Sequence, residues 1–170
     1  MKTVLILGGA RSGKSAHAQR LAEAAAGGGC VYVATAEALD SEMADRIAHH
    51  RAHRGERWRT VEAPLDLVGA LETETEPGDT VLVDCLTLWL SNLMHAGRDV
   101  DAETDRLCAY LQQAGRDIIL VSNEVGLGLV PETPLGRQFR DAQGRLNQHV
   151  ATVCDTVEFV AAGLPLRLKG

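Results

Sequence analysis

The stretch GGARSGKS, Gly8 to Ser15, constrains this chain more than any other. It fits the pattern G-x-x-x-x-G-K-[ST], with Gly8, Gly13, Lys14 and Ser15 at the required places. An apolar run, TVLIL (3–7), precedes it and a stretch of helical periodicity follows. A strand, a glycine-rich turn and a helix N-terminus in that order aim successive backbone N–H groups at one spot, where they can wrap phosphate oxygens. Gly8, Gly9, Ala10, Arg11, Ser12 and Gly13 would form the wrap. Lys14 would add a mobile positive charge, and Ser15 could ligate Mg2+. The competing reading is a glycine-rich turn that merely contains Lys-Ser, and the flanking strand and helix count against it.

The rest of the chain supports the same architecture. TVLIL (3–7), CVYVAT (30–35), DTVLVD (79–84), DIILVS (117–122) and TVEFVAA (156–162) are nearly continuous in apolar residues. Such runs suit parallel strands covered on both faces. Helical patterns lie between them, over 14–26, 40–54, 65–74, 86–96, 101–114 and 134–152. This β/α alternation predicts a mostly parallel sheet with helices on both faces, a phosphate-loop α/β fold in a single domain spanning 1–170. LPLRLK, near the end, would add a last edge strand.

Bulk properties narrow the function. The net charge of −6 argues against general nucleic-acid binding, which needs a basic face, but leaves room for a small anion held by local arginines. Cys30, Cys85, Cys108 and Cys154 contain no CxxC pair and read as free thiols in a reducing compartment. No secretory leader is visible, and the apolar stretch TVLVDCLTLWLSNLM is interrupted by Asp84 and Asn92, so no membrane span is expected. A cytoplasmic protein is the expectation.

Asp84 ends an apolar strand, where a carboxylate can hold Mg2+ through water or accept from a nucleotide. Its alternative is to cap the helix beginning near Cys85. Asn123 and Glu124, at the end of DIILV, are candidate groups facing substrate or metal. Their alternative is strand-end capping in a glycine-bearing loop.

RIAHHRAHRGERW (46–58) gathers His49, His50 and His53, half of the chain's six histidines, with four arginines. On a helix over 40–54, Met43, Ile47, His50 and Arg54 share a stripe, so His50 continues the apolar face while His49 and His53 point away. His49 and His53 have the spacing of a two-histidine zinc helix, but no third ligand is apparent. Spacing alone favours a buried, hydrogen-bonded His50, with a catalytic one second. Neutral imidazole is a good nucleophile near neutral pH. Its attack on a nucleotide α-phosphate would give a phosphoramidate, with Arg51 and Arg54 near enough to neutralise phosphates.

Taken together, GGARSGKS (8–15), YVATAEALDSEMADRIAHHRAHR (32–54), WRTVEAP (58–64), VLVDCLTLWLSNL (81–93), NEVGLGLVP (123–131) and FRDAQGRLNQ (139–148) resemble one family. It is the bifunctional adenosylcobinamide kinase / adenosylcobinamide-phosphate guanylyltransferase family of cobalamin biosynthesis. The resemblance implies a RecA-like fold assembled as a homotrimer. It implies phosphorylation of the aminopropanol arm of adenosylcobinamide with ATP or GTP. Transfer of GMP from GTP to that phosphate follows, giving adenosylcobinamide-GDP. The guanylylated histidine falls on His50, with His49 as the fallback. Nucleotide contacts fall on Gly8 to Ser15, on Val33, Ala34 and Thr35, on Arg51, Ala52, His53 and Arg54, and on Glu62 and Asp84. Glu62 would accept from guanine or from ribose; without the resemblance it reads as a solvated strand-end carboxylate. The rival functions are a plain small-molecule kinase and a non-catalytic GTP-binding regulator.

Overall fold

A computed structural model describes residues 3–36 and 57–170. The helix expected over 40–54, with Met43, Ile47 and all three clustered histidines, lies outside the described residues. The described elements run β1 (Thr3–Gly8), α1 (Lys14–Ala25), β2 (Cys30–Ala34), β3 (Trp58–Glu62), α2 (Leu67–Thr73), β4 (Thr80–Asp84), α3 (Leu86–His95), α4 (Val100–Gln113), β5 (Asp117–Asn123), α5 (Pro134–Val153), β6 (Thr156–Ala161) and β7 (Leu164–Lys169).

The seven strands form one sheet in the order β3-β2-β4-β5-β1-β6-β7. All pairings are parallel except β6 with β7, so LPLRLK is the antiparallel edge. β3 was not among the apolar runs, for a physical reason. WRTVE buries one side chain, Val61, because among the described residues the strand sits at the outer edge of the sheet and pairs only with β2.

Alternation along the strands fills two cores. Leu5, Val31, Val33, Val81, Val83, Ile118 and Leu120 face one layer, where Leu67 and Leu71 of α2, Leu86, Trp89, Leu90 and Leu93 of α3, Leu107 of α4 and Leu146 and Val150 of α5 pack. Ile6, Tyr32, Leu82, Ile119, Val121 and Val160 face the other, covered by Ala18 and Ala22 of α1. Small residues on α1 let it lie close to the sheet, which brings its N-terminus up against the strand ends. Each fully buried large side chain contributes roughly 2 kcal/mol of transfer free energy. Trp89 is fully buried and still satisfies its indole N–H, which donates to the Leu65 carbonyl at 2.8 Å.

Local signals set the helix ends. The Asp66, Asp99 and Thr133 side chains accept from Gly69, Ala102 and Gly136 backbone N–H groups, and Pro134 opens α5.

Candidate functional site

Sheet register gathers the site. Gly8 of β1 lies opposite Asn123 of β5 and Val160 of β6. Ala34 of β2 lies opposite both Asp84 of β4 and Glu62 of β3. The carboxyl ends of β3, β2, β4, β5 and β1 thus line one edge. The chain reverses direction across the sheet there, and open α/β sheets take ligands at such a switch point.

The phosphate loop sits where β1 meets α1. Arg11 and Gly13 adopt left-handed backbone conformations, with φ of 56° and 94°. A Cβ at Gly8 would stand 2.5 Å from the Val160 carbonyl oxygen and 2.6 Å from Ser12 Oγ, so only glycine fits without a shift. The β6–β7 turn braces the loop, with Gly163 N–H donating to the Ser12 carbonyl at 2.8 Å. Lys14 is buried at the start of α1, and its ammonium donates to the Gly9 carbonyl at 3.0 Å. That is a replaceable partner for a group expected to meet phosphate. Ser12 Oγ is buried with no hydrogen-bond partner among the described residues. An oxyanion in the loop would return the missing bond.

Next to the loop, His17 of α1 bonds the Glu158 carboxylate of β6 at 2.7 Å, and Arg167 of β7 donates to the same carboxylate at 3.0 Å. Burial pushes the Glu158 carboxyl up, but the hydrogen bonds from His17 and Arg167 outweigh it and hold the group below its ordinary value. The cluster ties the loop's helix to the hairpin that braces the loop.

Asp84 is half-buried at the end of β4. It does not cap α3: that helix starts at Leu86, its N-cap is Cys85, and no side chain caps it. The carboxylate is therefore left to the edge, one strand away from β1 across β5. The hydroxyl of Ser15 and the carboxylate of Asp84 are hard oxygen donors of the kind Mg2+ takes, so the residues fit that ion.

Thr35 has a second engagement. Its hydroxyl donates to the Cys85 carbonyl at 2.7 Å and accepts from the Cys85 N–H at 2.8 Å, beside a cis Asp84–Cys85 peptide. Asn92 Nδ2 donates to the Thr35 carbonyl at 2.8 Å. Val33 and Ala34 are buried, one in each core, so this stretch reaches the edge at its end. Glu62 is exposed beyond Val61. His50, Arg51, Ala52, His53 and Arg54 lie outside the described residues.

One group of residues went unread in the sequence. Beneath the edge, Gln143 and Asn147 of α5 are buried among the apolar residues of the helix. Ser122 Oγ donates to Asn147 Oδ1 at 2.7 Å, Gln143 Nε2 donates to both Ser122 Oγ (3.0 Å) and Asn147 Oδ1 (2.9 Å), and Asn147 Nδ2 donates to the Asn123 carbonyl at 3.1 Å. Thr87 Oγ1 holds the Asn123 N–H at 2.8 Å. Asn123 is therefore fixed from both sides, next to the loop. The available signal was spacing: positions 143, 146, 147 and 150 form one helical stripe, which makes the two amides inward-facing.

Comparison with known proteins adds the chemistry. Residues 4–168 match the family model described as cobinamide kinase / cobinamide phosphate guanyltransferase. The chain is 52% identical over 168 residues to the bifunctional adenosylcobalamin biosynthesis protein CobP of Pseudomonas aeruginosa, covering 98% of this chain and 96% of the relative. It is 40% identical over 181 residues to the bifunctional adenosylcobalamin biosynthesis protein CobU of Escherichia coli, covering 98% and 99%. Among solved structures it resembles a KaiC-like protein from the hyperthermophilic archaeon Pyrococcus horikoshii, with a TM-score of 0.53 at 14% identity over 93% of this chain and 70% of that one. A flagellar accessory protein FlaH from Methanocaldococcus jannaschii is similar at TM-score 0.54 and 16% identity, over 99% and 78%. At these identities the structural likenesses establish the phosphate-loop α/β fold.

Proposed function

Because the chain belongs to the cobinamide kinase / cobinamide phosphate guanyltransferase family, we propose that one sheet edge runs both of its reactions, with the guanylyl group carried on His50. The chain is an adenosylcobinamide kinase and adenosylcobinamide-phosphate guanylyltransferase of cobalamin biosynthesis. The observation that carries the reading is the convergence on one edge of the Gly8–Ser15 loop, Asp84 and Glu62. It supplies a phosphate-binding pole and, two strands beyond Asp84, a polar group for the rest of the nucleotide.

In the kinase step the terminal hydroxyl of the aminopropanol arm attacks the γ-phosphate of ATP or GTP. ADP or GDP leaves, with its phosphates cradled by the Gly8–Gly13 backbone and Lys14. Ser15 and Asp84 would hold Mg2+, which when bound neutralises charge on the phosphate oxygens. In the second reaction an imidazole nitrogen of His50 attacks the α-phosphorus of GTP, a P–N bond forms and pyrophosphate leaves. The phosphate of adenosylcobinamide phosphate then attacks that phosphorus, and the P–N bond breaks to free His50. Arg51 and Arg54 would stabilise the phosphates in transfer. Glu62 would accept from guanine or ribose donors.

The assembly is proposed as a homotrimer in the cytoplasm. The β7 edge, unpaired among the described residues, supports self-association, because Leu164, Leu166 and Leu168 are all exposed at alternate positions and hence on one face. Four free thiols, three of them buried, fit a reducing compartment.

Mass spectrometry after incubation with GTP and Mg2+ tests the covalent step. An acid-labile GMP adduct on the peptide holding His49 and His50 is expected, with none from ATP. His50→Ala should abolish the adduct and guanylyl transfer while sparing much of the phosphorylation of adenosylcobinamide, whereas Lys14→Ala should damage both. Guanylyl transfer at wild-type rate in His50→Ala would remove His50 from the mechanism.

A further inference from the structure

Four of the large, strongly exposed apolar side chains among the described residues fall within nine positions, in the segment that leaves β5 next to the phosphate loop and at the start of α5. Leu127 is 82% exposed, Leu129 96%, Val130 64% and Leu135 59%. The segment between β5 and α5 that carries the first three is nonetheless tied down. The Glu124 N–H donates to the Gly8 carbonyl at 3.0 Å, so its first residue is bonded directly to the start of the phosphate loop. The Glu124 carboxylate accepts from the Gly126 N–H. Arg137 reaches back from α5 to donate to the Pro131 and Glu132 carbonyls at 3.0 and 2.7 Å. Pro131 also packs on Gly136, where a Cβ would stand 2.9 Å from the proline Cβ. A loop fixed by its own polar groups, yet presenting large apolar side chains to water, marks a contact surface rather than a stray hydrophobe.

Position and chemistry choose the occupant. The acceptor hydroxyl has to reach the γ-phosphate above Gly8–Lys14, so the body of the acceptor must rest on the rim of that loop. The Glu124–Gly8 bond starts this segment there. Cobinamide carries its hydroxyl on an arm of a broad macrocycle whose edge is rich in methyl groups and amides and poor in charge. VGLGLVP (125–131) has no charged side chain, in contrast to the charged groups at the nucleotide pole.

We propose that the Glu124–Thr133 segment is the corrinoid platform of the site, with Leu127, Leu129 and Val130 supplying the apolar surface on which the macrocycle of adenosylcobinamide rests. Its arm is then directed along Glu124 towards the phosphate loop. This assignment rests on the activity proposed above and names the part of the site that takes the acceptor. The polar ends of the segment have a separate job: Glu124, Arg137 and Thr133 set its shape, so the leucines need not be buried to stay in place.

The double variant Leu127→Gln/Leu129→Gln tests it by steady-state phosphorylation of adenosylcobinamide. The KM for adenosylcobinamide should rise about tenfold or more, as expected for losing two leucine contacts. The KM for GTP, the extent of covalent GMP labelling by GTP alone and the mass by light scattering should stay at wild-type values. Leu127→Met/Leu129→Met, which keeps an apolar surface, should restore the low KM. An unchanged KM for adenosylcobinamide in the glutamine variant would overturn the platform. So would a fall in assembly mass together with loss of GMP labelling, which would assign the leucines to contacts between copies. A wild-type protein that labels with GMP but does not phosphorylate adenosylcobinamide would refute the kinase activity itself, before any variant is made.

Discussion

Replacing Asn147 by leucine tests whether the nucleotide edge is held from beneath. Leucine has the same branched outline and number of side-chain heavy atoms as asparagine and carries neither donor nor acceptor, so the change removes the polar bonds and leaves a bulkier, apolar side chain. Asn147 accepts from Ser122 Oγ and Gln143 Nε2 and donates to the Asn123 carbonyl, at 2.7, 2.9 and 3.1 Å. After the change the half-buried Asn123 carbonyl loses its amide donor and the buried Ser122 hydroxyl loses its acceptor, though Ser122 Oγ still accepts from Gln143 Nε2. A buried polar group left unpaired costs about 1–3 kcal/mol, so the whole substitution should cost about 3 kcal/mol. In a chain of 170 residues that is a fall in Tm of roughly 6–12 °C. Urea unfolding should show the same loss with an unchanged slope. The kinase rate should drop as well, because the Asn123 backbone faces Gly8. Gln143→Leu made in the Asn147→Leu background should cost less than the same change alone, with a coupling of about 0.5–3 kcal/mol. A loss under about 1 kcal/mol, or strict additivity of the two changes, would refute the claim that the amides act as one support.

Other changes read other parts of the site. Gly8→Ala pushes a Cβ against the Val160 carbonyl oxygen, a backbone atom, so destabilisation of about 1–3 kcal/mol and loss of GTP binding are expected by denaturation and calorimetry. Glu158 has a lowered folded pKa, so its contribution is complete above its ordinary value of 4.5 and fades as pH falls through the lower, folded value. Glu158→Gln should therefore lower Tm at pH 7, and the gap to wild type should close as the pH is taken below 4.5; a gap that persists there would contradict the linkage. Burial pushes the Cys85 thiol up to about 11 and the Cys154 thiol up to about 12, so a thiol reagent at mildly alkaline pH should mark the half-buried Cys108 before either, as peptide mapping would show.

How far the sequence could be read depended on what each element buries. β1, β2, β4, β5 and β6 lie inside the sheet with both faces covered, so each left a continuous apolar run. Five of the expected helices appear within about two residues of their boundaries, and Asp66, Asp99 and Thr133 with Pro134 mark the starts of three of them. β3 left almost no signal, since an edge strand paired on one side buries only Val61. In the site, the Gly8–Ser15 loop was legible because its chemistry demands fixed residue types at fixed spacing. The place of Asp84 after an apolar strand already favoured a ligand-facing role over capping, and the one-residue offset of α3 decides against the cap. Gln143 and Asn147 were passed over because a polar residue on a helix reads as solvated by default, and only the stripe they share with Leu146 and Val150 says otherwise.

Thr35 shows how a resemblance and a geometry can assign one residue two jobs. The resemblance puts it among the nucleotide contacts. In the structure its hydroxyl meets both polar groups of the Cys85 backbone, one residue beyond Asp84, and its carbonyl accepts from Asn92. An effect of Thr35 on catalysis would then pass through the placement of Asp84. Thr35→Val keeps the β-branched shape that suits a strand end and removes only the hydroxyl. It strands the buried Cys85 N–H, while the Cys85 carbonyl keeps the Trp89 N–H at 3.2 Å, which predicts about 1–3 kcal/mol of destabilisation. The rates of both reactions should fall with the stability, and their dependence on Mg2+ concentration should shift to higher values as the backbone next to Asp84 loses its tie to Thr35. Thr35→Ser, which retains the hydroxyl, should recover most of the stability and of the Mg2+ dependence. If valine instead raised the KM for nucleotide with Tm and Mg2+ dependence untouched, the hydroxyl would be a direct nucleotide contact and the latch to Cys85 incidental.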